Sequence, residues 1–167
     1  MTGAAKKILL IGYGNPVRED DGLGPALAAD IEKRALPGVT VESNYQLSVE
    51  DAEALTHADA VIFADAAVEG PEPYCFRRIQ PKEDLSFSTH SVTPDSLLGL
   101  ARSLFDSQTP GYMLGIRGYS FAMFTEQMTD QAAANLRAAI EFLVPVLVSG
   151  QLDAQVGEET DGNTKHG

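Results

Sequence analysis

Apolar residues fall along this chain in two alternating rhythms. Lys7–Ile11 reads K-I-L-L-I, a run of β-compatible residues that predicts a strand buried on both faces, as in a parallel sheet. After the loop Gly12–Gly24, Leu23, Leu27 and Ile31 recur every fourth residue and predict a helix from about Pro25 to Leu36, stopped by Pro37-Gly38. Val39–Ser43 alternates as a strand. Val49–His57 fits a short helix, with Ser48 as its N-cap. Ala58–Asp65 is a second buried strand and ends in an acid. Pro71 and Pro73 break the chain, and Tyr74–Ile79 alternates as expected of an antiparallel edge strand. Thr93-Pro94 has the N-cap and N1 chemistry of a helix start, and that helix should reach Phe105. Tyr112–Arg117 is a further strand. Gln127–Val148 predicts a long helix with Ala132, Leu136, Ile140, Leu143 and Leu147 on one side, kinked or shortened by Pro145.

Strands alternating with helices predict an α/β domain, a doubly wound and mostly parallel twisted sheet of five strands with one antiparallel edge. A single domain is expected over residues 1–149. Residues 150–167 carry Asp153, Glu158, Glu159 and Asp161 with few apolar side chains and read as a disordered acidic tail. In such sheets, ligands collect at the carboxyl ends of the strands, where the strand order reverses. Functional residues are therefore expected near strand ends.

Composition narrows the partners. Twelve basic residues against 24 acidic ones give a net charge of −12, unfavourable for nucleic acid or an anionic membrane. No run approaches the roughly 20 apolar residues of a membrane span. The absence of an apolar leader and the single cysteine, Cys75, lead to an expected cytoplasmic location.

The candidate chemistry begins in the first loop, Gly12-Tyr13-Gly14-Asn15 through Asp20-Asp21-Gly22-Leu23-Gly24. A dinucleotide fingerprint would need glycine at position 17, which is Val17, and Glu19, Asp20 and Asp21 would repel a pyrophosphate. Asp65 closes the apolar run Val61-Ile62-Phe63-Ala64, and His90 stands in Ser88-Thr89-His90-Ser91. If Asp21, Asp65 and His90 converge at one rim, they form a mixed oxygen and nitrogen donor set suited to Zn²⁺ or Ni²⁺ with a position left open. Such a metal would activate water or polarise a peptide carbonyl.

The pattern G-x-G-N-x-x-x-x-D-D-G-x-G over Gly12–Gly24, followed in order by Asp65-Ala66 and Thr89-His90, resembles the signature of the [NiFe]-hydrogenase maturation endopeptidases. The resemblance implies a flavodoxin-like (phosphorylase/hydrolase-like) fold. It implies removal of a C-terminal extension from a [NiFe]-hydrogenase large-subunit precursor after nickel insertion. It implies that Asp21, Asp65 and His90 contact nickel carried by that precursor, with another divalent ion such as Zn or Cd able to occupy the same donors. Asn15, Asp20 and Gln46 are candidate substrate contacts, Asp20 in a supporting role. One departure is Asn44-Tyr45-Gln46-Leu47-Ser48, where many relatives carry G-G-[ST]; the Gln-Leu variant is similar to branches that serve cytoplasmic hydrogenases.

Two other classes share the outline. A receiver-like domain would use Asp20, Asp21 and Asp65 with Mg²⁺, Asp65 being the phosphoacceptor. It would need a lysine after the last strand, where Arg117-Gly118 stands. A non-catalytic nickel-binding module would use the same three ligands without cleavage.

Overall fold

The computed structural model describes residues 6–83 and 92–157. Five strands form one sheet: β1 (Ile8–Tyr13), β2 (Val39–Asn44), β3 (Ala60–Ala67), β4 (Tyr74–Ile79) and β5 (Gly111–Arg117). Their order is β2-β1-β3-β5-β4. The first three and β5 are mutually parallel, and β4 runs antiparallel against β5 at the edge. The predicted fold class and its antiparallel edge are therefore present.

Strand alternation sends neighbouring side chains to opposite faces, and helices cover both. On one face Leu10, Ile62, Leu114 and Phe76 pack under α1 (Leu23–Arg34) and α4 (Asp130–Ser149). On the other, Leu9, Ile11, Val61 and Phe63 pack under α2 (Asp51–Leu55) and α3 (Pro94–Phe105). Phe63 is fully buried, a contribution of about 2–3 kcal/mol before entropy is counted.

Several boundaries differ from the sequence reading. Helix α1 starts at Leu23, so Pro25 lies inside its first turn, where a missing N–H costs nothing. Helix α2 is short, and Ser48 is not its cap. Instead the Ser48 N–H donates to the Asp51 carboxylate at 2.9 Å. Thr93 and Ser96 do form a capping box ahead of α3, with Pro94 at the first turn. Helix α4 starts three residues later than expected, at Asp130, capped by Thr129. It also continues past Pro145 to Ser149, because a proline near the C-terminal end displaces only one bond of the ladder. By length and hydropathy α4 could cross a membrane, but its apolar stripe faces the sheet and α1.

The segment after α4 also differs from the expected tail. Leu152 is 2 % exposed and belongs to the core under α4. Asp153 accepts from the Tyr112 hydroxyl and from Arg78, and the Gly157 N–H donates to the Phe76 carbonyl on the β4 edge. Residues 150–157 are thus part of the domain. Leu152 and the half-buried Val156 anchor a segment whose average composition is polar. The remainder of the expected tail, 158–167, lies outside the described residues.

Candidate metal and peptide site at the carboxyl rim

Strand order reverses between β1 and β3, with β2 reached on one side and β5 on the other. The crevice beyond their carboxyl ends is where an α/β sheet gathers ligands. Asp21 stands in the turn after β1 and Asp65 in the last residues of β3, both at this end of the sheet.

The loop after β1 is built around its acids. Gly14 adopts φ +142°, and a Cβ there would meet the Asp21 carbonyl oxygen at 2.1 Å. Residues Glu19–Gly22 form a 3-10 turn that runs directly into α1. A Cβ on Gly24 would lie 2.4 Å from the Tyr13 carbonyl oxygen and 2.5 Å from that of Ala64, so only glycine lets α1 start this close to β1 and β3. The spacing of the motif thus follows from close backbone packing.

Its three acids have different fates. Asp21 is half-buried, and its carboxylate accepts the Asn15 backbone N–H at 2.8 Å. A carboxylate of the protein therefore takes the amide that a phosphate would need, which explains physically why the loop is no nucleotide cradle. The half-buried Asn15 bonds locally, its side-chain oxygen accepting the Val17 N–H at 3.0 Å.

Asp20 is 0 % exposed, which corrects its reading as a substrate contact. Its carboxylate accepts the backbone N–H groups of Thr129 at 2.8 Å, Tyr119 at 2.7 Å and Ser120 at 3.1 Å, and the Thr129 hydroxyl at 2.9 Å. Burial by itself would raise its pKa. The N–H groups of Thr129 and Tyr119, the Thr129 hydroxyl and the Ser120 N–H outweigh that and hold it below the ordinary carboxylate range. Glu19 accepts from the Ser120 hydroxyl and the Ala122 N–H. Glu19 and Asp20 together pin the loop after β5, while Asp21 alone faces the rim.

Asp65 lies within β3, two residues before its end, rather than beyond the strand. It pairs in register with Gly115, which pairs in turn with Cys75. Burial is the main cause that pushes the Asp65 carboxyl up to about 7, and the nearby Asp21 charge adds to it. The Ala66 N–H, 2.7 Å away, and the Tyr13 hydroxyl pull in the opposite direction. Burial and the charge of Asp65 raise the pKa of Tyr13 in turn, and Arg77 opposes that rise. Tyr13 and Arg77 therefore belong to the electrostatics of the site. Sequence reasoning missed both. Strand parity held the signal for Tyr13, since β1 and β3 are adjacent and parallel and place Tyr13 and Asp65 on one face.

Alongside Asp65 opens a cavity of about 400 Å³, lined by Ala66, Ala67, Glu69, Cys75, Arg77 and Gly115 among others. A separate cavity of about 480 Å³ lies at the opposite end of β1 and β2, away from both acids. Gln46 is exposed in the loop after β2. His90 lies outside the described residues, and with it the third member of the expected ligand set. Among the described residues no group of three His, Cys, Asp or Glu side chains stands ready to hold a metal. The donors available are the paired carboxylates of Asp21 and Asp65. They suit a divalent cation chemically, because a cation would relieve both the burial of Asp65 and its repulsion by Asp21.

No family model matches the sequence, and no curated protein matches it. Solved structures do. A [NiFe] hydrogenase maturation protease HycI from Thermococcus kodakarensis KOD1 superposes with TM-score 0.67 at 20 % identity, over 85 % of this chain and 92 % of that one. A hydrogenase 2 maturation peptidase from Thaumarchaeota archaeon SCGC_AB-539-E09 gives 0.64 at 23 %, over 85 % and 98 %. The hydrogenase maturating endopeptidase HybD from E. coli gives 0.62 at 21 %, over 86 % and 93 %. Nearly the whole of each neighbour is matched, and the chain shares the α/β fold of the hydrogenase maturation proteases.

Proposed function

We propose that this chain is an endopeptidase that removes the C-terminal extension of a [NiFe]-hydrogenase large-subunit precursor after nickel insertion. The observation that carries the reading is the electrostatic pairing of Asp21 and Asp65 at the switch point of a maturation-protease fold. In this reading Asp21 and Asp65, with His90, contact the nickel that the precursor carries, so only a loaded precursor is recognised. Nickel is then substrate cargo, and the same donors accept Zn or Cd in its place. The metal supplies polarisation of a carbonyl or activation of water. The protein's own part is orientation: the Asn15 N–H fixes the Asp21 carboxylate, and the Ala66 N–H and Tyr13 hydroxyl fix that of Asp65. The cavity beside Asp65 would receive the extended peptide, and exposed Gln46 remains a candidate contact across the rim.

The receiver-like alternative is disfavoured by Asp20, whose carboxylate is consumed by four hydrogen bonds and has no surface to offer Mg²⁺. A non-catalytic nickel-binding module remains the second reading, since the two carboxylates alone would serve it equally well. Incubating the purified chain with nickel-loaded precursor separates these readings. Release of a short C-terminal peptide, seen by intact-mass measurement, is the expected result. A folded chain that binds nickel-loaded precursor without cutting it would overturn the endopeptidase reading. Stable acylphosphate on Asp65 would do so as well.

A further inference from the structure

Glu19 and Asp20 spend their carboxylates on the loop that follows β5, and the part of that loop they hold in place is apolar and bare. Phe124 is 88 % exposed and Met123 52 %. Phe124 also adopts φ +61°, a left-handed conformation that is strained for a bulky residue. The surroundings over-determine it. The Thr125 N–H donates to the Val17 carbonyl at 2.9 Å, the Glu19 N–H donates to the Thr125 carbonyl at 2.7 Å, and Ser120 and Ala122 donate to Glu19. The aromatic tip is therefore held out by a loop bonded to the one that carries Asp21.

The tip is not isolated. Tyr45, directly after β2, is 72 % exposed, and Val68, directly after β3, is 67 % exposed. All three loops leave the carboxyl rim. Exposed apolar side chains thus stand on three loops at the sheet end that holds Asp21 and Asp65, while Arg18 and Glu126, beside the tip, are exposed and charged. An apolar centre with a charged border is the anatomy of a protein interface, and aromatic tips are its usual energetic anchors.

We propose that Met123 and Phe124 form a rigid knob that docks into an apolar recess on a folded partner protein, beside the chain segment that enters the Asp21–Asp65 site. The proposal rests on the endopeptidase reading and names the folded body of the substrate as the partner. A second copy of this chain is the poorer occupant. Two chains of net charge −12 repel each other. A substrate delivering its own chain end to the crevice covers the knob, Tyr45 and Val68 together.

The test measures binding of nickel-loaded large-subunit precursor to the full chain, by surface plasmon resonance, and cleavage in parallel. Phe124→Gly suits the left-handed backbone and should keep the melting temperature. It should weaken precursor binding about 10–30-fold, as loss of an aromatic anchor does. Phe124→Leu should recover part of the loss. Val148→Ser, on an exposed position of α4, should bind like wild type. In turnover the Phe124→Gly loss should appear in KM with kcat unchanged. Wild-type binding by Phe124→Gly overturns the proposal, whether or not the precursor is cut. Concentration-dependent dimerisation that Phe124→Gly abolishes also overturns it, in favour of a second copy. Weakened binding with no cleavage by any form would keep the docking surface and reject the endopeptidase reading.

Discussion

Asp20 and Thr129 are 109 residues apart in sequence and are joined twice, the Thr129 N–H donating to Oδ1 at 2.8 Å and its hydroxyl to Oδ2 at 2.9 Å. The same carboxylate accepts from Tyr119 and Ser120, so one buried acid ties the loop after β1 to the whole connection between β5 and α4. Thr129 also caps α4. Asp20→Ala leaves several buried N–H groups without an acceptor and should cost about 3 kcal/mol. That corresponds to a fall in melting temperature of roughly 10 °C in a domain of this size. Calorimetry checks it, and a change under 2 °C, about half a kcal/mol, would mean the network contributes little.

The two acids respond to pH in opposite directions. The Asp20 pKa is depressed in the fold, so its contribution is present above the ordinary carboxyl range and is lost as pH falls through its folded value. Asp65 is raised to about 7, so the stability linked to its neutral form is full below about pH 4 and lost as pH rises through 7. In the metal-free chain Asp65→Asn should therefore raise stability at pH 8 by about 2–3 kcal/mol and change little at pH 4. Divalent-cation binding by the wild type should strengthen between pH 6 and pH 8, since a cation displaces that proton. Melting temperatures across pH for both proteins provide the measurement. A wild-type-to-mutant difference that does not vary with pH would show that Asp65 is not held up by burial.

Asp21→Asn keeps an oxygen for the Asn15 N–H, so the loop should hold its shape. Precursor processing should nevertheless fall about 100-fold or more, since even the partners of metal ligands are worth about 10–100-fold. His90→Ala should do the same with an unchanged circular dichroism spectrum. Normal processing by both variants would remove the proposed site.

Truncation should divide the C-terminal segment at Gly157. A chain ending there keeps Leu152, the Asp153 bonds to Tyr112 and Arg78, and the Gly157 bond to β4. It should melt like the full chain. A chain ending at Ser149 loses the buried Leu152 and should be weaker by about 2–4 kcal/mol. The exposed Arg78–Asp153 ion pair adds little to that difference. Equal urea midpoints for the two truncations would contradict the anchoring role of Leu152.

The local pattern of the chain was enough to determine its architecture. Apolar runs such as Lys7–Ile11 and Ala58–Asp65, short and rich in β-compatible residues, fit central parallel strands, and the fourfold recurrence of Leu23, Leu27 and Ile31 marks the face of α1 that meets them. The placement of Asp21 and Asp65 near strand ends at one rim of the sheet was also legible, from the long first loop and the apolar run before Asp65. Three things were decided only by tertiary structure. Consecutive acids look alike in sequence, yet a 3-10 turn rotates successive side chains by about 120°, sending Asp20 into the core and Asp21 to the rim. Tyr13 and Arg77 joined the site because neighbouring strands place side chains together that lie far apart along the chain. Leu152 and Val156 escaped a compositional reading because isolated apolar residues in a polar segment have no period, and only the tertiary packing brings them against the core.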